Sequence, residues 1–102
     1  MSESMAVATT IRDQIGTGAL AMMGAKNLIG TRAGLSFKVG RNPKRVTHVR
    51  VTLDPTDTYT VEFLLVNDRA SVTVKTLSEL DGVYADMLLD VLKSGTGLEV
   101  RL

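Results

Sequence analysis

Thr58-Tyr59-Thr60-Val61-Glu62-Phe63-Leu64-Leu65-Val66 is the stretch on which the fold turns. Tyr59, Val61, Phe63 and Leu65 recur with a period of two, which sets one row of side chains against a core and the other row outward. The stretch is rich in β-branched and aromatic residues, which suit a pleated, half-buried surface. Leu64 and Val66 are apolar on the outward row and are the exception to the alternation. Turn chemistry bounds the strand on both sides: Asp54-Pro55-Thr56-Asp57 before it and a tight hairpin, Asn67-Asp68-Arg69, after it.

Moving toward the N-terminus, Val46 to Leu53 repeats the pattern, with Val49, Val51 and Leu53 inward and His48, Arg50 and Thr52 outward. Gly40-Arg41-Asn42-Pro43-Lys44-Arg45 is a breaker-rich turn that joins it to an earlier strand, Leu35-Ser36-Phe37-Lys38-Val39. Ala25 to Ala33 reads as a connector. Ile11, Ile15, Leu20, Met22 and Met23 carry a helical pattern that Gly16 and Gly18 break, with Thr17 expected to cap a second short helix. Thr10 and Asp13 form a minimal capping box, Gly24 is the expected stop, and residues 1–8 are expected to be a frayed start.

Toward the C-terminus, Ser71 to Thr76 is expected to return as a strand with Val72 and Val74 inward. The final helix is predicted to start at Ser78 as N-cap, with Glu79 and Asp81 at its positive end. Its apolar stripe runs through Leu80, Val83, Tyr84, Met87, Leu88, Val91 and Leu92, and Gly95 is read as the stop. Leu98 to Leu102 is expected to form a short last strand or an ordered tail. The sum is one α+β domain over residues 1–102, ordered α-β-β-β-β-α. It is a two-layer sandwich in which a four-stranded antiparallel meander is covered on one face by both helices. The other face is expected to show Ser36, Lys38, His48, Arg50, Thr52, Thr60, Glu62, Thr73 and Lys75.

Composition narrows the chemistry. The 102 residues contain no Cys, which excludes a disulfide scaffold, a thiolate metal site and cysteine catalysis, and fits a reducing cytoplasm. Aromatic residues make up 4% with no Trp, so aliphatic side chains must build the core. No apolar run approaches the roughly 18 residues of a membrane span, and Met1 to Thr10 lacks a basic-then-apolar leader. One His allows no His pair for a metal. Asp54 and Asp57 read as turn residues, and Asp86 and Asp90 as a helix's wet side. Gly16-Thr17-Gly18 and Gly95-Thr96-Gly97 lack the third glycine and the lysine of a phosphate cradle. No Gly-x-Ser-x-Gly elbow is present. No enzyme and no cofactor are therefore expected.

Charge is the remaining signal. The net charge is only +1, but Gln14 to Leu53 holds seven Lys and Arg and no carboxylate. From Asp54 onward nine acidic residues face four basic ones. The split has two readings: a basic binding face, or two halves that attract each other within the fold. Lys38, Arg41, Lys44, Arg45, His48 and Arg50 fall on one predicted hairpin, the layout of a phosphate-contacting element. Phe37, Tyr59, Phe63 and Tyr84 are all expected on core-facing positions, which leaves no ring for base stacking.

Several segments recur in this order elsewhere: Ile11 to Gly16, Ala19 to Asn27, Gly34 to Lys38, Asp57 to Phe63, Gly82 to Leu88 and Thr96 to Leu98. Together they resemble a family of small uncharacterised proteins of about this length from phages, prophages and metagenomes. The resemblance spans nearly the whole chain and carries over no site residues, because the family has no established activity. It implies an accessory protein of a mobile element acting in a bacterial host cytoplasm. Such proteins are commonly nucleic-acid-associated factors or inhibitors of host or defence machinery. Two functional expectations follow. The first is a non-enzymatic module that contacts nucleic acid or an acidic surface through the basic hairpin. The second is an anti-defence inhibitor that docks on a host protein, by strand addition at a sheet edge, with Asp81, Asp86 and Asp90 contributing. Open edges in so small a domain also raise the expectation of a homodimer.

Overall fold

The computed structural model describes residues 6–67 and 73–100. Two short helices, α1 (Ala6–Ile15) and α2 (Thr17–Met22), precede five strands: β1 (Lys26–Gly30), β2 (Gly34–Lys38), β3 (His48–Leu53), β4 (Tyr59–Asn67) and β5 (Thr73–Val83). A 3-10 turn, Ala85–Met87, leads into the last helix, α3 (Leu88–Thr96). The strands pair antiparallel in the order β1-β2-β3-β4-β5, so the protein is α+β with a meander sheet.

The central strands follow the alternation. Leu35, Phe37, Val49, Val51, Tyr59, Val61 and Phe63 are buried on one face. The register Phe37↔Val49↔Phe63 and Leu35↔Val51↔Val61 stacks them in rows. Ala8, Ile11 and Ile15 of α1 and Leu88, Val91 and Leu92 of α3 close over that face and join the same core. Tyr59 brings its ring into the core and donates its phenol hydroxyl to Gln14 Oε1 at 2.7 Å, which ties β4 to α1. Burial pushes the Tyr59 phenol up from its ordinary pKa of 10, and the Asp57 carboxylate adds to the rise.

The helical start differs from expectation in detail. α1 begins at Ala6, with Ala8 already buried, so residues 6–8 belong to a helix and not to a frayed start, and residues 1–5 lie outside the described residues. Thr10 sits inside this helix and donates to the Ala6 carbonyl, so it is no cap. Gly16, at φ +88°, makes the break and is the N-cap of α2 in place of Thr17. Gly24 does end α2, as expected, at φ +66° with its N–H donated to the Ala21 carbonyl.

Two larger corrections concern the sheet. The expected connector over Ala25 to Ala33 contains a strand, β1, which makes the sheet five-stranded. Lys26, Asn27, Leu28 and Ile29 are all exposed, and Asn27 takes a left-handed φ of +53° at an irregularity in the β1–β2 register. An edge strand with no buried row leaves no period of two in its sequence. The second correction is that Ser78 to Val83 is not helical. β5 runs on through these residues alongside β4, whose backbone offers a continuous ladder that local propensity does not overcome. Of the expected stripe, Val83 is buried as the last residue of β5 and Leu88, Val91 and Leu92 are buried within α3, whereas Leu80, Tyr84 and Met87 stand 47%, 60% and 42% exposed. Val74, expected inward, is exposed as well, while Val72 lies outside the described residues together with the Asp68 and Arg69 of the hairpin.

β5 spans eleven residues against the nine of β4, and two irregularities absorb the difference. One falls between the pairs Phe63↔Ser78 and Leu64↔Thr76, and the other between Tyr59↔Val83 and Val61↔Leu80, beside Gly82 at φ +65°. The first flips the inward–outward sense of β5, so Thr76 shares the outer face with Leu64, and Lys75 pairs with Leu65 on the other side. Leu64 is nonetheless buried at the end of that outer face. Thr47 helps to fix this region, since its hydroxyl donates to the Leu64 carbonyl and accepts the Val66 N–H.

Gly95 is not the stop of α3. It lies inside the helix, where a Cβ would run into the Phe63 ring, so its missing side chain lets α3 lie directly on β4. Gly97, left-handed at φ +76°, is the C-cap, and its N–H is donated to the Lys93 carbonyl. No final strand forms over residues 97–100, but Val100 is buried against the core.

Candidate nucleic-acid interface

The loop from Val39 to Thr47 is held rigid by one side chain. Asn42 donates its amide to the carbonyls of Gly40 and Val46, at 2.8 and 2.7 Å, and its Oδ1 accepts the Val46 N–H at 3.0 Å. Gly40 N–H is donated to the Met23 carbonyl at 2.8 Å, which fastens the loop to the end of α2. Val39 and Val46 are buried and anchor both legs. Between them Arg45 adopts a left-handed φ of +64°, a conformation that costs about 1 kcal/mol for a residue bearing Cβ.

This loop brings three of the six expected site residues together. Lys38, Arg41 and Arg45 line one open depression of about 470 Å³, floored by Val39, Gly40, Asn42, Val46 and Thr47. All three are exposed, and no ion pair engages them among the described residues. Lys26 stands opposite Lys38 in the β1–β2 register, so a fourth cation borders the cluster. In the sequence the Met-Gly-Ala-Lys-Asn run around Lys26 and Asn27 reads as a helix end in preference to a site, so Lys26 is not one of the six expected residues. Its place emerges only from the strand pairing, since twelve positions separate it from Lys38 in the chain.

The other three residues go elsewhere. Lys44 lies on the far side of the loop, where it borders a separate hollow with Leu77, Ser78, Ser94 and Gly95. His48 is the β3 partner of Lys38, which puts it on the same row of the outer face, and its Nδ1 lies 3.0 Å from Thr47 Oγ1. Arg50 is one row further on and is engaged by its β4 partner Glu62 at 3.4 Å. Ser36 is the β2 partner of Arg50, one row away from the Lys38–His48 pair.

The charge split seen along the chain becomes a spatial split on the open sheet face. Lys26, Lys38, His48 and Arg50 fall on β1, β2 and β3, while Glu62 and Glu79 face each other on β4 and β5. Asp54 and Asp81 border a hollow at the opposite end from the basic loop, and Asp54 accepts the Thr60 hydroxyl at 2.6 Å. The two halves therefore meet at the Arg50–Glu62 pair while each keeps an extreme of its own. Both readings of the asymmetry have a place in this arrangement.

Of the aromatic rings, Phe37, Tyr59 and Phe63 are buried as expected, whereas Tyr84 is exposed at the far end of the β4–β5 pairing. No group of three or more metal-ligating side chains occurs among the described residues, and no described helix is long and apolar enough to cross a membrane. No protein-family model matches the chain, and no curated protein or solved structure was found similar to it.

Proposed function

We propose that the protein is a non-enzymatic binding module that grips the phosphate backbone of nucleic acid with Lys38, Arg41 and Arg45, bordered by Lys26. One observation carries this reading: three exposed cations converge on one concavity with no carboxylate among its described lining residues. Like charges held together repel one another, and a phosphate chain relieves that repulsion while releasing its own counterions. The rigid Asn42-braced loop holds the cations in place before binding, which lowers the ordering cost. Without rings beside the cluster, contact falls on phosphates and not on bases, so little sequence preference is expected. The setting is that of a mobile-element accessory protein in a bacterial cytoplasm, as the resemblance to small phage and prophage proteins implies.

The test is fluorescence anisotropy with labelled single- and double-stranded oligonucleotides at two salt concentrations. About three phosphate contacts on duplex DNA give a log–log salt slope near −2.7, a loss of about 40-fold in affinity between 50 and 200 mM salt. The double substitution Arg41→Glu/Arg45→Glu is expected to weaken binding more than tenfold and to leave the unfolding midpoint nearly unchanged. Undiminished binding by that variant would remove the loop as the site. The second reading, an inhibitor that docks on a host or defence protein, draws on a different observation. Leu80, Tyr84 and Met87 stand exposed along β5 and the entry to α3.

A further inference from the structure

β1, β2 and β3 lie wholly within residues 14–53, so their part of the open sheet face carries no carboxylate. Lys26 and Lys38 are partners there. The next outward position along β2, about 7 Å away, is Ser36, whose β1 partner is Ile29. Ile29 is 59% exposed, an aliphatic side chain left in water among cations. Beyond it the chain turns through Thr31 to Gly34, closed by the Thr31 N–H donated to the Gly34 carbonyl at 2.8 Å, and this turn carries the exposed Arg32. Cations, an apolar side chain and a further cation thus succeed one another along β1, starting from the basic loop. Across the sheet the run is bounded by Glu62 on β4, which engages Arg50.

Resting on the phosphate-binding reading of the basic loop, we propose that the nucleic acid bound is single-stranded. Its backbone leaves the loop cations and runs along β1 toward Arg32, and one unpaired base lies on Ile29. The apolar side chain between the cations decides between strands. A duplex keeps its base faces stacked inside and shows a flat protein surface only phosphate and sugar, which leave Ile29 in water. Reading its grooves takes a protruding element, and α1, α2 and α3 all pack into the core on the opposite face. An unpaired base has an apolar face to lay on the side chain, whatever its identity, so the contact adds affinity without sequence preference. Glu62 and Glu79 repel a phosphate chain from β4 and β5, which keeps the strand on the β1 side.

The chain contains no Trp, so Ile29→Trp supplies a single fluorescent reporter at the proposed base contact. The probes are a short oligothymidylate and its duplex with oligodeoxyadenylate of the same length. The single strand is expected to quench the indole saturably, and the duplex to leave it nearly unchanged. By anisotropy at equal salt, the wild-type chain should bind the single strand about tenfold more tightly than the duplex. Ile29→Ser, at an exposed edge position, should lower single-strand affinity about fivefold and leave duplex affinity and the unfolding midpoint unchanged. The proposal is overturned if both probes bind equally and Ile29→Ser binds each as wild type does. Loss of that binding in Arg41→Glu/Arg45→Glu would then keep the phosphate reading of the loop, whereas no binding of either probe at low salt removes both. Indole emission that changes on diluting the protein alone would assign Ile29 to a contact between copies, and it also overturns the proposal.

Discussion

The β2–β3 and β4–β5 pairs use the same antiparallel geometry to opposite ends. In the first, five successive partners run from Gly34↔Thr52 to Lys38↔His48 without a slip, and the connecting loop is braced by Asn42 and loaded with cations. In the second, β5 slips twice against β4, carries Glu79 and Asp81, and leaves apolar side chains in water. Regular pairing fixes where a loop's charges point. Irregular pairing pushes residues off the core and creates surface that a partner can cover. The contrast places a rigid basic end and an adaptable acidic, apolar side on one small sheet.

Breaking the regular pair should have the largest effect. A Cβ at Gly34 would strike the Val51 carbonyl and the neighbouring backbone, which has little freedom to move. Gly34→Ala is therefore expected to cost about 3 kcal/mol in urea unfolding, at the upper end for overpacking. The same exchange on the irregular side, Gly95→Ala, meets a ring that can shift and gains helix propensity. It should cost about 1–2 kcal/mol. Equal costs for the two variants would remove the distinction drawn between rigid and adaptable pairs.

Smaller effects sharpen the comparison. Arg45→Gly releases the left-handed strain in the basic loop, offset in part by the greater freedom of glycine in the unfolded chain. A net gain of about 0.5 kcal/mol in stability is expected together with weaker oligonucleotide binding, so the two properties should move in opposite directions. Tyr59 supplies a pH test at the β4–α1 junction. Its phenol titrates higher in the folded than in the unfolded chain, so the contribution is complete below about pH 10 and fades as pH rises above it. Tyr59→Phe should remove that part of the alkaline decline, at the cost of the hydrogen bond to Gln14 at neutral pH.

Legibility in the sequence followed burial. β2, β3 and β4 could be read with their faces assigned because each buries one alternate row, and the core rows Phe37–Val49–Phe63 and Leu35–Val51–Val61 are those of the alternation. β1 was hidden because all but Gly30 of its residues are exposed. The N-cap of the last helix was misplaced by nine residues, from Met87 to Ser78, because Leu80, Val83, Tyr84 and Met87 satisfy a helical period that only tertiary pairing with β4 overrules. The basic loop was visible because its cations are contiguous in the chain. The addition of Lys26 and the divergence of Lys44 depend on strand register and on which side of the loop a residue falls, and neither leaves a mark in one dimension.

The sheet's register irregularities fall only on its two outermost pairs, β1–β2 and β4–β5, while β2–β3 and β3–β4 run uninterrupted. A strand that kinks and twists where it meets solvent makes a poor template for another chain. Two bare, regular margins would otherwise invite stacking of copy upon copy into fibres. The same unevenness that obscured β1 and β5 in the sequence therefore makes both margins of the sheet poor templates for strand pairing with another copy.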